Sequence, residues 1–223
     1  MKKAIYKVMI TFILLMQPTS GFAENIERIL FSGSELLYPL PKGFCNITQD
    51  AQGIIMMEFL GKQKGPMFPT PQLIIGPCQQ YTANPGYPWG WIGLMKDGTK
   101  FTQKTVNKMM AKMMKNEDVM DKLMESASKK SSEVFDELFD VEVTQDVNKQ
   151  RIIWADEDSI LVLSNLSGQV EGKVIKEVNI SSTTVIDDLY VYTFLYNLEG
   201  ANPSGKQMSK LLIENAPAIK RLN

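Results

Sequence analysis

Beyond residue 141 the hydrophobic period of this chain shortens to two, and that change constrains its fold more than any other feature. Val141 and Val143 alternate with charged residues, and apolar or β-branched runs follow at 151–154, 159–163, 170–186 and 189–196. Asp156-Glu157-Asp158 and Asp187-Asp188 interrupt them as turn clusters. This pattern predicts antiparallel strands.

The first half reads differently. Ser34–Tyr38 predicts a short strand stopped by Pro39 and Pro41. Residues 51–61 predict a short helix with Asp50 as N-cap and Gly61 as its stop. Residues 62–71 read as a Gly/Pro loop, Leu73–Ile75 as a buried strand and Trp89–Met95 as a glycine-rich strand. Val106, Met110, Met113, Met120 and Met124 fall near one helical face, so 103–139 predicts a helix capped by Thr102. The polar run Ser126–Ser132 is the expected break. A closing helix is expected over 204–222, with Ser204 as N-cap and a bend or break at Pro217. Strands and helices do not alternate strictly, which predicts an α+β fold: an antiparallel sheet covered by helices, in one disulfide-linked domain over 24–223.

The N-terminus carries the signature of a cleavable export leader over residues 1–23. Lys2, Lys3 and Lys7 precede the apolar run Val8–Met16, and Gly21-Phe22-Ala23 offers small side chains for cleavage before Glu24. The expected location is the periplasm of a bacterial cell envelope, or the medium. With 24 basic and 25 acidic residues, removing three lysines leaves 21 − 25 = −4. That balance is not a nucleic-acid footprint. No later apolar run reaches transmembrane length, so no membrane-spanning anchor is expected after processing.

Cys45 and Cys78 are the two cysteines, and an oxidising compartment makes their pairing the expectation. Their spacing does not suit a redox-active pair, which usually has two residues between its thiols. Histidine is absent, which removes the commonest general base, the Ser-His-Asp arrangement and His-ligated zinc.

The segment Leu40-Pro41-x-Gly43-x-Cys45, followed by a helix and a strand ending at Cys78, resembles a group of uncharacterised bacterial periplasmic proteins. Those carry a P-x-G-[YF]-C segment and a second Cys about 30 residues on. Gly172, the strand Tyr190–Tyr196 and the final helix with Asn215 extend the likeness. It implies the helix-covered antiparallel sheet of Mog1/PsbP-like proteins and a Cys45–Cys78 disulfide. It implies no activity and transfers no catalytic residue.

Candidate chemistry is weighed against packing at each cluster. Met109, Met110, Met113, Met114, Met120 and Met124 could present soft sulfurs to Cu(I), but no His or Cys supports them. Their commoner roles are core filling and an adaptable partner surface. Trp89 and Trp91, with Tyr81 and Tyr87, could form a binding surface for sugars or peptides, or a satellite core. Asp156-Glu157-Asp158 lacks the spacing of a calcium loop. The Ser128–Ser132 run offers no burial to activate a lysine. No catalytic residue, metal or cofactor is expected. The reading is a non-enzymatic binding or accessory protein serving an envelope protein partner or a small ligand, with Met109, Met110, Met113, Met114, Trp89 and Trp91 as candidate partner surface. A carboxylate-based envelope hydrolase and a Cu(I) protein are the alternatives.

Overall fold

A computed structural model of the chain describes residues 25–63, 68–78, 87–96, 98–139, 143–170 and 172–223. The expected leader therefore lies outside the described residues, as does Tyr81. The expected α+β architecture is present. Seven antiparallel strands form one sheet in the order β3-β4-β5-β9-β8-β7-β6. They are β3 (Phe44–Asn46), β4 (Thr70–Pro77), β5 (Trp89–Lys96), β6 (Val143–Ala155), β7 (Ile160–Val170), β8 (Lys173–Ile186) and β9 (Leu189–Leu198). A separate hairpin, β1 (Ile26–Phe31) with β2 (Ser34–Pro39), turns through Ser32 and Gly33. Both have positive φ, the backbone twist that a two-residue hairpin needs.

Other elements cover both faces of the sheet in part. On one side lie the hairpin and helix α4 (Gly205–Leu222), whose Met208, Leu212 and Ile219 meet Ile92, Ile180 and Leu195. On the other, helix α1 (Ala51–Lys62) sets Phe59 and Leu60 against Trp89 and Trp91. Helix α2 (Gln103–Met114) packs Val106 on Val185 and Tyr190. Helix α3 (Glu117–Phe139) lies mainly along β6 and adds Val134 to the α1 cluster. Alternation along β9 divides its side chains between the two layers: Val191, Thr193 and Leu195 face α4, and Tyr192, Phe194 and Tyr196 face α1 and α2.

Several local expectations change. The long helical region breaks at Lys115–Asn116, not within Ser126–Ser132, which continues α3. Asn116 is the reason: its side-chain oxygen accepts the Val119 N–H at 3.3 Å and its carbonyl accepts that of Met120, so it caps a new helix. Pro217 does not interrupt α4, although a proline removes one internal hydrogen bond. The buried row Met208, Leu212, Ala216 and Ile219 holds the helix across it. The expected strand 170–186 is β8 and begins later, at Lys173: Val170 ends β7, and Gly172, at φ +76°, helps the chain reverse between them. Strands β1 and β3 were not anticipated. Thr102 and Ser204 cap as expected, Ser204 in a reciprocal capping box with Gln207. Asp50 caps α1 through its backbone carbonyl alone.

Two register irregularities mark β6 against β7, at Val147/Lys149 and Ile152/Trp154. Among the described residues no helix is long and apolar enough to cross a membrane.

Candidate functional site

The best-defined concavity begins with a turn. Pro41-Lys42-Gly43-Phe44 closes with a hydrogen bond from Phe44 N–H to Pro41 C=O at 2.9 Å. Gly43 takes φ +86° at its third position, a conformation costly for other residues. This is the physical content of the P-x-G-F segment. The Gly43 carbonyl accepts the Cys78 N–H at 3.0 Å, Phe44 pairs with Pro77, and the Cys45–Cys78 disulfide locks the turn to the end of β4.

Helix α4 faces this turn. Between them is a cleft of about 490 Å³, within the usual size range of small-molecule sites. Pro39, Leu40, Pro41 and Phe44 form one wall, and Leu211 and Ala218 the other. Lys42 and Glu214 stand among the lining residues as the charged groups, with Asn25 and Asn215 as the amides. Asn215 is 7% exposed. It donates to the Tyr38 hydroxyl at 3.1 Å, and that hydroxyl shares a 2.6 Å hydrogen bond with Thr193 Oγ1. Burial drives the Tyr38 phenol well above its ordinary pKa, against the opposing hydrogen bonds of Thr193 and Asn215. Tyr38 is therefore a neutral strut tying β2, β9 and α4 together behind the cleft.

The tryptophans lie in the other layer. Trp91, 2% exposed, stacks on Phe194 at 4.2 Å and on Phe68 at 5.5 Å. Trp89, 8% exposed, stacks on Tyr196 at 4.3 Å. The rings are consumed by packing, with little surface left to present. At the end of this aromatic layer the Tyr87 hydroxyl donates to Glu177. Burial pushes the Glu177 carboxyl up to about 7. Burial likewise pushes Tyr196 up to about 12, with a smaller contribution from the Glu177 charge.

The methionines divide between core and surface. Met110 packs on the Val106–Tyr190 cluster, Met113 and Met114 are half-buried, and Met109 is 52% exposed. Among the described residues no group of three or more His, Cys, Asp or Glu side chains is arranged to hold a metal. The acidic run 156–158 is a hydrogen-bonded turn. Asp156 accepts the N–H groups of Asp158 and Ser159 at 2.9 and 2.8 Å and the Trp154 indole N–H at 2.9 Å. Burial alone would raise its pKa, but these bonds and Lys220 bring it below the ordinary value. Lys129 lies 4.0 Å from Glu133 and is exposed, not a desolvated nucleophile or base.

The P-x-G-F segment makes the cleft's turn legible in the sequence, but not the cleft. Leu211, Glu214 and Ala218 were missed, and Asn215 entered only through resemblance. The signal was present: an amide in the middle of the apolar stripe Met208, Leu211, Leu212, Ala216, Ile219.

The architecture is thus that of a disulfide-linked, helix-covered antiparallel sheet with one amphipathic cleft defined beside its cystine. No protein-family model matches the chain, and no curated protein matches it. Among solved structures, cyanobacterial PsbP (CyanoP) from Synechocystis sp. PCC 6803 is similar at 10% identity and a TM-score of 0.39, over 92% of this chain and 96% of that one. This distant likeness carries no inference about role.

Proposed function

We propose that this chain is an exported, non-enzymatic binding or accessory protein of the bacterial cell envelope, which takes a small, largely apolar ligand in the cleft between the 41–44 turn and α4. The cleft carries the reading: apolar walls, a few convergent polar groups and a rim pinned by a disulfide. A hydrolase would need two carboxylates about 5–9.5 Å apart across a substrate. Glu177, the carboxylate whose pKa is raised among the described residues, faces Tyr87 within the aromatic layer, away from the cleft.

Native mass spectrometry of the protein purified gently from its own cell envelope tests this. The expected species starts at Glu24, is two mass units below its reduced form and carries a small ligand. Leu211→Trp, which fills the cleft from its partly exposed wall, should abolish ligand retention while leaving the fold intact by circular dichroism. Retention by that variant, or a ligand-free native protein, would overturn the cleft as the binding site.

A further inference from the structure

Helix α2 has an unusual outward face. Lys104, Lys108, Lys112 and Lys115 follow one another at spacings of four, four and three. At 100° per residue they fall within an arc of roughly 80°. The buried side of the helix is set by Gln103 and Val106, 6% and 8% exposed, with Met110 beside them. The lysine arc is centred about opposite that side, and all four lysines are exposed. Lys100 adds a fifth just before the helix. Residues 98–116 thus hold five basic and no acidic residues, while the rest of the chain holds 24 − 5 = 19 basic against 25 acidic. Asp97 precedes this segment in the sequence, and Glu117 and Asp118 follow it in the first turn of α3.

A solvated helix face usually mixes signs, and the other helices of this chain do. Glu58–Lys62 on α1, Lys129–Glu133 on α3 and Lys210–Glu214 on α4 are ion pairs at i,i+4. On α2 the i,i+4 neighbours are lysine and lysine, which repel and weaken the helix. Beside the row Met109 is 52% exposed, and on α3 Val119 and Leu123 are 41% and 42% exposed. Concentrated positive charge with exposed apolar side chains suits an interface that is anionic at its surface and apolar below.

We propose that the α2 lysine row, with Met109, docks this protein onto an anionic lipid bilayer. The row runs about 16 Å along the helix, long enough to meet several headgroups at once. Binding is peripheral and electrostatic, with Met109 entering the headgroup layer. The proposal is independent of the cleft, whose occupant could be present or absent without changing it.

Co-sedimentation with lipid vesicles tests it, using the protein as purified from its own cells. Vesicles of phosphatidylcholine with about 30% phosphatidylglycerol should bind it, vesicles of phosphatidylcholine alone should not, and raising salt to about 0.5 M should release it. Each single Lys→Gln substitution at 104, 108 or 112 should weaken binding about fivefold. The triple Lys→Glu variant should abolish it, whereas Lys206→Glu on α4 should change little. Circular dichroism of each variant guards against misfolding. Failure to bind anionic vesicles, or binding that survives the triple reversal, would overturn the proposal. Equal binding to soluble polyglutamate, unaffected by Met109→Ser, would also overturn it and assign the row to an acidic protein.

Discussion

Glu177 shows how a residue's chemistry comes from partners far along the chain. In sequence it is one of the charged residues in Lys173-Val-Ile-Lys-Glu-Val-Asn179, indistinguishable from a solvated strand position. The fold sets Tyr87, 90 residues away, against it and Tyr196 near enough to feel its charge. Its carboxyl is pushed from an ordinary 4.5 up to about 7 by burial. Between those values the unfolded chain releases the proton and the folded chain keeps it. Stability from this group therefore falls as pH rises through that window, and the penalty persists above it; below 4.5 both states are protonated and it vanishes. Glu177→Gln stays neutral and can still accept from Tyr87. It should be more stable than the natural chain at about pH 8 and equal to it near pH 4, as read by urea denaturation. A gap that does not change with pH would mean that Glu177 is solvated. The cysteines were legible because two thiols in one chain leave a single intramolecular pairing. Tyr38 was not, because nothing local in Leu36-Leu37-Tyr38-Pro39 announces that its hydroxyl bridges Thr193 and Asn215.

At the scale of elements, periodicity and capping chemistry carried the reading where they were strong, and short-range context misled it where they were weak. The helix starts at Thr102 and Ser204 followed from hydroxyl caps. The break at Asn116 was hidden because Lys115-Asn116 looked less disruptive than the polar run at 126–132, yet serines are tolerated in a helix and a cap is what starts a new one. Strand β3 is too short for any period to reveal. Gly53 carries a constraint of the same kind. A Cβ there would stand 1.8 Å from the Ile47 carbonyl oxygen and 2.9 Å from Thr48 Cα. That segment cannot retreat, because Ile47 N–H binds Ile74 C=O and Thr48 Oγ1 accepts the Ile74 N–H, each at 2.9 Å. Helix α1 must move instead, drawing Phe59 and Leu60 away from Trp89 and Trp91. Gly53→Ala should lose about 3 kcal/mol in urea denaturation, despite alanine's better helix propensity. A neutral or stabilising result would show that α1 is not seated so closely.

For the whole molecule, the disulfide and the two-layer cover of the sheet act together. The bridge spans 33 positions and joins the cleft's turn to β4. By chain entropy, replacing both cysteines with alanine should cost about 3–4 kcal/mol, measurable as a lower melting temperature; a melting point insensitive to reduction would contradict this. The α+β class was legible because helices and a run of period-two strands follow one another without strict alternation. The layer each helix joins was not, because a helix's apolar stripe does not say which side of a sheet it will cover. One consequence concerns the strand that ends the sheet. An open sheet offers its last strand as a template on which another chain can add, and β6, at 13 residues, is long enough to seed such growth. Its two register irregularities bend that template and interrupt its spacing. Such interruptions work against the addition of further copies of the chain along β6.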